Sequence, residues 1–386
     1  MKQLNYQTPI ETMESKAKHH NPINVLVVDD KVVMRSLLKR ILGDDKDINV
    51  VASAVDERGA LGQLNLHDVD VVLLDVHIDR MTIVSNLLAA KPSLKIVMIA
   101  SASGEQGNLC INALKAGAVD YIAKPNGDGK SFATGSGNFQ NDLLEKIKHW
   151  GDENRLKRGP APLPEKPKRG TSAKLLSLPV PRHIVLRQGA IERPSAIAIG
   201  SSTGGPEALL KIIPHLKDVT QPIFVTQHMP AAFTPVLAKH ITECGSLPCV
   251  EAKDGMVVVG KTIYLAPGDY HMTVERTGEK TVTIRLNQNP PENFCRPAVD
   301  PMLRSLSETF GQKLFIAILT GMGSDGQKGA EFAVRNGANI IAQNEATSVV
   351  WGMPAAVAHN GLCHAVLPLE EMGPTIAQIA QRGQPA

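Results

Sequence analysis

Residues 195–213 read SAIAIGSSTGGPEALLKII, and this stretch decides the fold of the C-terminal half. AIAIG (196–200) is apolar without alternation, the pattern of a strand covered on both faces. SSTGG (201–205) then supplies a tight turn. Pro206 falls in the first turn of the following helix, where its missing N–H has no intrahelical partner to lose. Gly200-Ser201-Ser202-Thr203-Gly204 keeps the G-x-S-x-G spacing of a nucleophile turn, which lifts Ser202 above the sheet edge in front of a helix N-terminus. A phosphate-binding or purely structural Ser/Gly loop is the competing reading.

A serine is a weak nucleophile at ordinary pH and requires a base. His228 ends the next strand, IFVTQHM (223–229), which a parallel sheet sets beside Ser202. Asp325, in LTGMGSDG (319–326), follows the strand LFIAILTG (314–321) and suits the third role, holding the imidazole tautomer. His271 and His364 also lie near strand ends, but no nucleophile motif adjoins them. The order Ser, His, Asp differs from the Ser, Asp, His of α/β-hydrolases. ANIIAQN (338–344) is a further strand, and YHMTVERTGEKTVTIRLNQ (270–288) alternates about a Thr-Gly-Glu turn as a hairpin does. The expected domain is a three-layer αβα sandwich with a mostly parallel sheet. An alternative uses Gly321, Gly323 and Gly326 as the G-x-G-x-x-G of a dinucleotide-binding protein, with Glu345 as its ribose acid. Against it, Asp325 would set a carboxylate beside the pyrophosphate.

Working upstream, INVLVV (23–28), INVVASAV (48–55), VDVVLLD (69–75), KIVMIA (95–100) and VDYIAK (119–124) read as five buried strands. Helical patterns such as VMRSLLKRIL separate them, so a doubly wound, five-stranded parallel sheet is expected. Its strand ends carry Asp29, Asp30 and Asp75, with Lys124 after the fifth. Three converging carboxylates repel, and a hard cation such as Mg²⁺ takes such oxygen ligands and bridges to a phosphoryl group.

Between the halves, Gly151–Pro194 holds ten Lys or Arg against four Asp or Glu, together with seven prolines. That composition describes a solvated, semi-extended linker. No aromatics are interleaved to stack bases, which argues against a nucleic-acid arm. A regulator that couples this N-terminal domain to a DNA-binding output is a further alternative, but about 190 residues of strand-rich sequence exceed a helix-turn-helix effector. The chain of 386 residues allows two or three domains. With 43% hydrophobic and 20% charged residues it is neither disordered nor fibrous. Five scattered cysteines without a CxxC suit a reducing compartment. No apolar run approaches a membrane span and the first 22 residues lack a signal h-region, so a cytoplasmic protein without membrane insertion is expected.

VDDKVVMR (28–35), LLDV (73–76) and AGAVDYIAKP (116–125) resemble the signatures of response-regulator receiver domains. SSTGGPEAL (201–209), VTQHMP (225–230), YLAPG (264–268), CRPAVDP (295–301), LTGMGSDG (319–326) and VVWGMPAAV (349–357) resemble the catalytic domain of chemotaxis protein-glutamate methylesterases, the CheB family. The resemblance implies a receiver over 23–145 and a methylesterase domain over 195–384, and composition adds a disordered tail over 1–22 and a Pro/basic linker over 146–194. It implies Asp75 as phosphoacceptor, Asp29, Asp30 and Asp75 around Mg²⁺, and Lys124 on the phosphate. It also implies Ser202, His228 and Asp325 as the triad, with no cofactor for hydrolysis. The implied substrates are glutamyl γ-methyl esters of methyl-accepting chemoreceptors, with glutamine deamidation beside it, and the implied phosphodonor is a chemotaxis histidine kinase. Two departures stand in the receiver: Ile83 occupies the usual glycine of the turn after the phosphoacceptor, and Ala100 the usual Ser or Thr ending the fourth strand. In the catalytic half Ser201 stands where alanine is common, next to Ser202.

Overall fold

The computed structural model describes residues 21–76, 82–101, 104–124, 137–157, 184–245 and 247–383. The N-terminal domain runs β1 (Ile23–Val28), α1 (Val32–Gly43), β2 (Ile48–Ala54), α2 (Glu57–Leu66), β3 (Val71–Asp75), α3 (Thr82–Ala90), β4 (Lys95–Ala100), α4 (Gly104–Lys115), β5 (Asp120–Ala123) and α5 (Gly137–Lys157). Its strands pair in the order β2-β1-β3-β4-β5, all parallel. Every residue of β3 is buried, as the unbroken apolar run required. Leu38, Ile41 and Leu42 of α1 pack on one face with Phe139, Leu143, Ile147 and Trp150 of α5. Ile83, Val84, Leu87 and Ile111 pack on the other.

Two boundaries expected from composition are corrected. The division at 145/146 falls inside α5, because Ile147 and Trp150 belong to the receiver core. A Cβ at Gly151 would lie 2.1 Å from Ile23 Cγ2, so this helix rests directly on β1 there. Charge on the solvent face of such a helix reads like the charge of a linker. At the other end, Arg187 donates from its backbone to Cys363 O and from Nη1 to Ala338 O, and Ile191 is buried. Residues 184–194 are thus part of the C-terminal domain. The remainder of the expected linker, 158–183, and residues 1–20 of the expected tail lie outside the described residues. Ile83 sits in the first turn of α3 and is buried, so a helix occupies the place where a left-handed glycine was expected.

The C-terminal domain runs β6 (Ala196–Ser201), α6 (Gly205–Ile212), β7 (Ile223–Gln227), α7 (Thr234–Cys244), β8 (Cys249–Glu251), β9 (Ile263–Leu265), β10 (His271–Arg276), β11 (Val282–Asn287), α8 (Val299–Phe310), β12 (Leu314–Ile318), α9 (Gln327–Arg335), β13 (Asn339–Gln343), α10 (Met353–His359), β14 (Ala365–Leu367) and α11 (Leu369–Arg382). Seven strands form one parallel sheet in the order β14-β13-β12-β6-β7-β9-β8. The hairpin β10–β11 is a separate antiparallel pair. The chain leaves β6 toward β7 and returns on the other side at β12. That reversal opens a crevice at the strands' carboxyl ends.

The two domains touch through α4, β5 and α5. Tyr121 of β5 meets Phe233 edge to face at 5.3 Å between centroids, and its hydroxyl donates to the carbonyl of His228 at 3.3 Å. Lys115 of α4 lies 3.0 Å from His240 Nδ1, and His149 Nε2 of α5 donates to Val349 O at 3.3 Å.

Candidate active site

Strand register brings the candidate residues together. Ser201 pairs with Gln227 across β6 and β7, which places Ser202 and His228 one residue further, at the same rim. On the other flank Leu319 N donates to Gly200 O and Ser202 N donates to Thr320 O, drawing the loop after β12 alongside. The α6 helix starts from Gly204 at φ 75°, a left-handed conformation that glycine adopts without strain. Ser202, Thr203, His228, Cys295, Met322 and Gly323 line a cavity of about 1060 Å³, closed on the far side by receiver residues including Tyr121 and Lys146.

Ser201 is fully buried, and its hydroxyl donates to Gln227 Oε1 at 2.7 Å. Ser202 is half-buried, and its hydroxyl bonds to none of the described residues. Its backbone is fixed: its carbonyl accepts from Gly205 N and Gln227 Nε2.

His228 Nε2 is 2.7 Å from Asp325 Oδ2. Asp325 sits at the N-terminus of α8, where it accepts from Val299 N at 2.6 Å and Asp300 N at 3.2 Å, besides Gly326 N and Asn293 Nδ2, both at 2.9 Å. Burial opposes its charge, but the His228 ring and those backbone N–H groups outweigh burial and hold the carboxyl below its ordinary value. The neighbouring Asp300 goes the other way: burial, then the charge of Asp325, raises it. Asn293 Nδ2 donates to both acids and bridges them. The remaining ring nitrogen, Nδ1, faces Cys295 Sγ at 3.3 Å. Burial disfavours the charged ring, yet Cys295 and Asp325 outweigh it and push His228 up to about 10.

The structure thus joins His228 to Asp325 directly and sets Ser202 at the same cavity without a bond to the ring. Asn293, Cys295 and Asp300 were not singled out from sequence, although Cys295 and Asp300 lie in the CRPAVDP motif. Neither His271 nor His364 lines this cavity; His271 is buried, with Nδ1 accepting from Ala298 N and Nε2 donating to Pro290 O. Gly321 accepts from Gly352 N and Met353 N, and a Cβ there would meet Met353 and Ser202, so that glycine is spent on close packing.

In the receiver, Asp29, Asp30 and Asp75 place carboxylate oxygens within 4.8 Å of one another. Asp29 and Asp75 are buried and Asp30 is exposed. Lys124 Nζ is 2.7 Å from Asp75 and 3.4 Å from Asp29. Burial, and then the charge of Asp75, raise Asp29 despite a backbone hydrogen bond from Lys31 and the Lys124 charge. An all-oxygen donor set with more negative charge than one lysine neutralises fits a hard divalent cation. Ala100 is buried at the end of β4, and the neighbouring Ser101 hydroxyl is bound to Gln106 Oε1 at 2.6 Å.

A phosphoacceptor-type acidic cluster on one parallel sheet, and a serine, histidine and aspartate rim on a second, define a response regulator with an enzymatic output domain. Comparison with known proteins narrows the class. The sequence model for CheB methylesterase matches residues 197–376, and that for the response regulator receiver domain matches 25–133. The protein-glutamate methylesterase/protein-glutamine glutaminase of group 2 operon from Rhodospirillum centenum is 45% identical, covering 96% of this chain and 97% of its own. Its counterpart from Azospirillum brasilense is 45% identical over 94% of each chain. The crystal structure of the Thermotoga maritima CheB methylesterase catalytic domain is 39% identical, spans 48% of this chain and 98% of its own, and superposes with a TM-score of 0.47. The chain belongs to the CheB methylesterase family. Among the described residues no helix is long and apolar enough to cross a membrane.

Proposed function

We propose that this chain hydrolyses glutamyl γ-methyl esters on chemoreceptors in the cytoplasm, and deamidates receptor glutamines by the same acyl transfer. The observation that carries this reading is the Ser202 hydroxyl, bonded to none of the described residues and set at one cavity with a His228–Asp325 pair 2.7 Å apart. Ser202 Oγ attacks the ester carbonyl while His228 Nδ1, the nitrogen not used by Asp325, takes its proton. The tetrahedral oxyanion forms in front of the α6 N-terminus. His228 returns the proton to the departing methoxide, and methanol leaves. Water then repeats the sequence on the acyl-serine, releasing glutamate and restoring the hydroxyl. Release of methanol from methylated receptor tests this: wild type releases it and Ser202→Ala does not. Equal release by both would remove Ser202 from the mechanism.

The receiver regulates that site in this reading. Asp75 accepts a phosphoryl group from a chemotaxis histidine kinase, with Lys124 turning from the carboxylates to the new phosphoryl charge. Asp29, Asp30 and Asp75 would hold Mg²⁺, which supplies positive charge against the phosphoryl oxygens. Tyr121 and its neighbours on α4 and α5 cover the cavity until phosphorylation releases them. With Ala100 in place of a hydroxyl and Ser101 engaged by Gln106, release proceeds without a hydroxyl at the end of β4.

A further inference from the structure

The contact between His228 and Cys295 has no part in the hydrolysis proposed for this chain, and the role inferred for it here rests on that catalytic reading. An imidazole has two nitrogens. Asp325 carries only acceptors on its ionised carboxylate, so the nitrogen facing it, Nε2, must carry the hydrogen. Nδ1 is then the acceptor, the one place a serine proton has to go. In the structure that nitrogen faces the Cys295 sulfur at 3.3 Å, while the Ser202 hydroxyl is bonded to none of the described residues.

The sulfur is placed by its loop. Glu292 and Cys295 exchange backbone hydrogen bonds, at 3.2 and 2.9 Å, and Glu292 is paired with Arg304 of α8. Asn293 is fixed on Asp300 and Asp325, and Arg296 on Asp269 and on the carbonyls of Gln288 and Asn289. Asn293 and Phe294 adopt φ of 50° and 63°, a left-handed pair that side-chain-bearing residues enter only when their surroundings compel it. Phe294, next to the cysteine, is 85% exposed, so the strain does not serve to bury an apolar ring. Cys295, beside it, lines the cavity.

We propose that Cys295 is a positioning residue: its thiol holds the one ring nitrogen that Ser202 has to use, and the serine is activated only when that contact is given up. Sulfur is a weak hydrogen-bond partner, donor to the neutral ring and acceptor from the charged one, so the contact steadies the ring yet yields to a hydroxyl brought in by a bound ester. The groups acting on the ring are Cys295 and Asp325. Asp300 and Arg304 act on it through Asp325, and Tyr121 of the receiver touches only its backbone carbonyl. Both direct partners favour the protonated ring, against burial. A protonated ring accepts nothing, so hydrolysis rises with pH as the ring is freed, and removing the sulfur moves that rise toward acid.

The test uses the full-length chain and a peptide carrying a glutamyl γ-methyl ester. Methanol release is followed against pH for wild type, Cys295→Ala and Cys295→Ser. The acid limb is expected at lower pH in Cys295→Ala, with the rate below that limb rising about tenfold for each pH unit moved. Cys295→Ser, whose hydroxyl still bonds the ring, is expected to keep the wild-type KM. Superimposable limbs in all three proteins overturn the proposal, whatever happens to the maximal rate, because a purely structural cysteine changes height and not position. A second readout is independent of turnover: the His228 imidazole is titrated by NMR in full-length Ser202→Ala, with and without Cys295→Ala. A lower midpoint without the thiol supports the contact, and an unchanged midpoint overturns it. If wild type releases no methanol at any pH, the esterase reading has failed, while the ring titration still decides the contact.

Discussion

Ser201 and Ser202 are neighbours in the chain, but the first hydroxyl lies beneath the sheet rim on Gln227 and the second stands at the cavity. Ser202→Ala is expected to lower methanol release by about 10⁴-fold or more, since only positioning and the oxyanion donors remain. Ser201→Ala is expected to keep the rate and to lose about 1–3 kcal/mol of stability, because it strips a buried acceptor of its donor. Denaturant midpoints and steady-state rates on the two variants separate these outcomes, and a reversed pattern would mean that the other hydroxyl is the nucleophile. Asn293 can be tested in the same assay. Without its amide, two adjacent buried carboxylates lose the donor they share, and Asn293→Ala is expected to lower kcat about 10-fold or more with little change in KM.

At the scale of elements, α4 reaches the catalytic domain through a glycine. A Cβ on Gly107 would lie 2.4 Å from Phe233 Cδ1 and 3.2 Å from Ala232 O. Phe233 is buried and held against Tyr121, so it has little freedom to give way. Alanine is also a better helix former than glycine by about 1 kcal/mol. Gly107→Ala is therefore expected to leave the receiver at least as stable while wedging the domains apart, so that the unphosphorylated enzyme hydrolyses ester several-fold faster than wild type. An unchanged basal rate, with unchanged receiver melting, would mean that this contact does not cover the site. Elements were legible in the sequence to the degree that they were long and buried. β1 and β4 lie where their apolar runs placed them, at 23–28 and 95–100. Strands β8, β9 and β14, three residues each, went unread, since so short a run carries no period and is held only by the neighbour it pairs with.

For the whole molecule, the boundary at 184 matters to how the domains are separated. A chain beginning at residue 184 keeps both hydrogen bonds of Arg187, and one beginning at 191 loses them. Both are expected to outpace the full chain, because each lacks the receiver. The shorter is expected to melt lower, by about 1–3 kcal/mol in stability. Equal melting would show that residues 184–190 contribute nothing. Asp75→Asn in the full chain is expected to keep the basal rate and lose its increase with phosphodonor, read as methanol release with and without acetyl phosphate. An increase that persists would place the phosphoacceptor elsewhere.

The sequence alone determined two parallel α/β domains and the residues that end their strands, because buried strands and strand-end turns leave their mark within a few consecutive positions. It also ordered serine, histidine and aspartate along the chain. The G-x-S-x-G spacing also set Ser202 ahead of Ser201; only the tertiary structure decided which ring nitrogen meets the acid, and that a cysteine takes the other. Those choices depend on side-chain direction at a shared rim, and on a loop pinned by partners far away in sequence, neither of which leaves a local pattern to read.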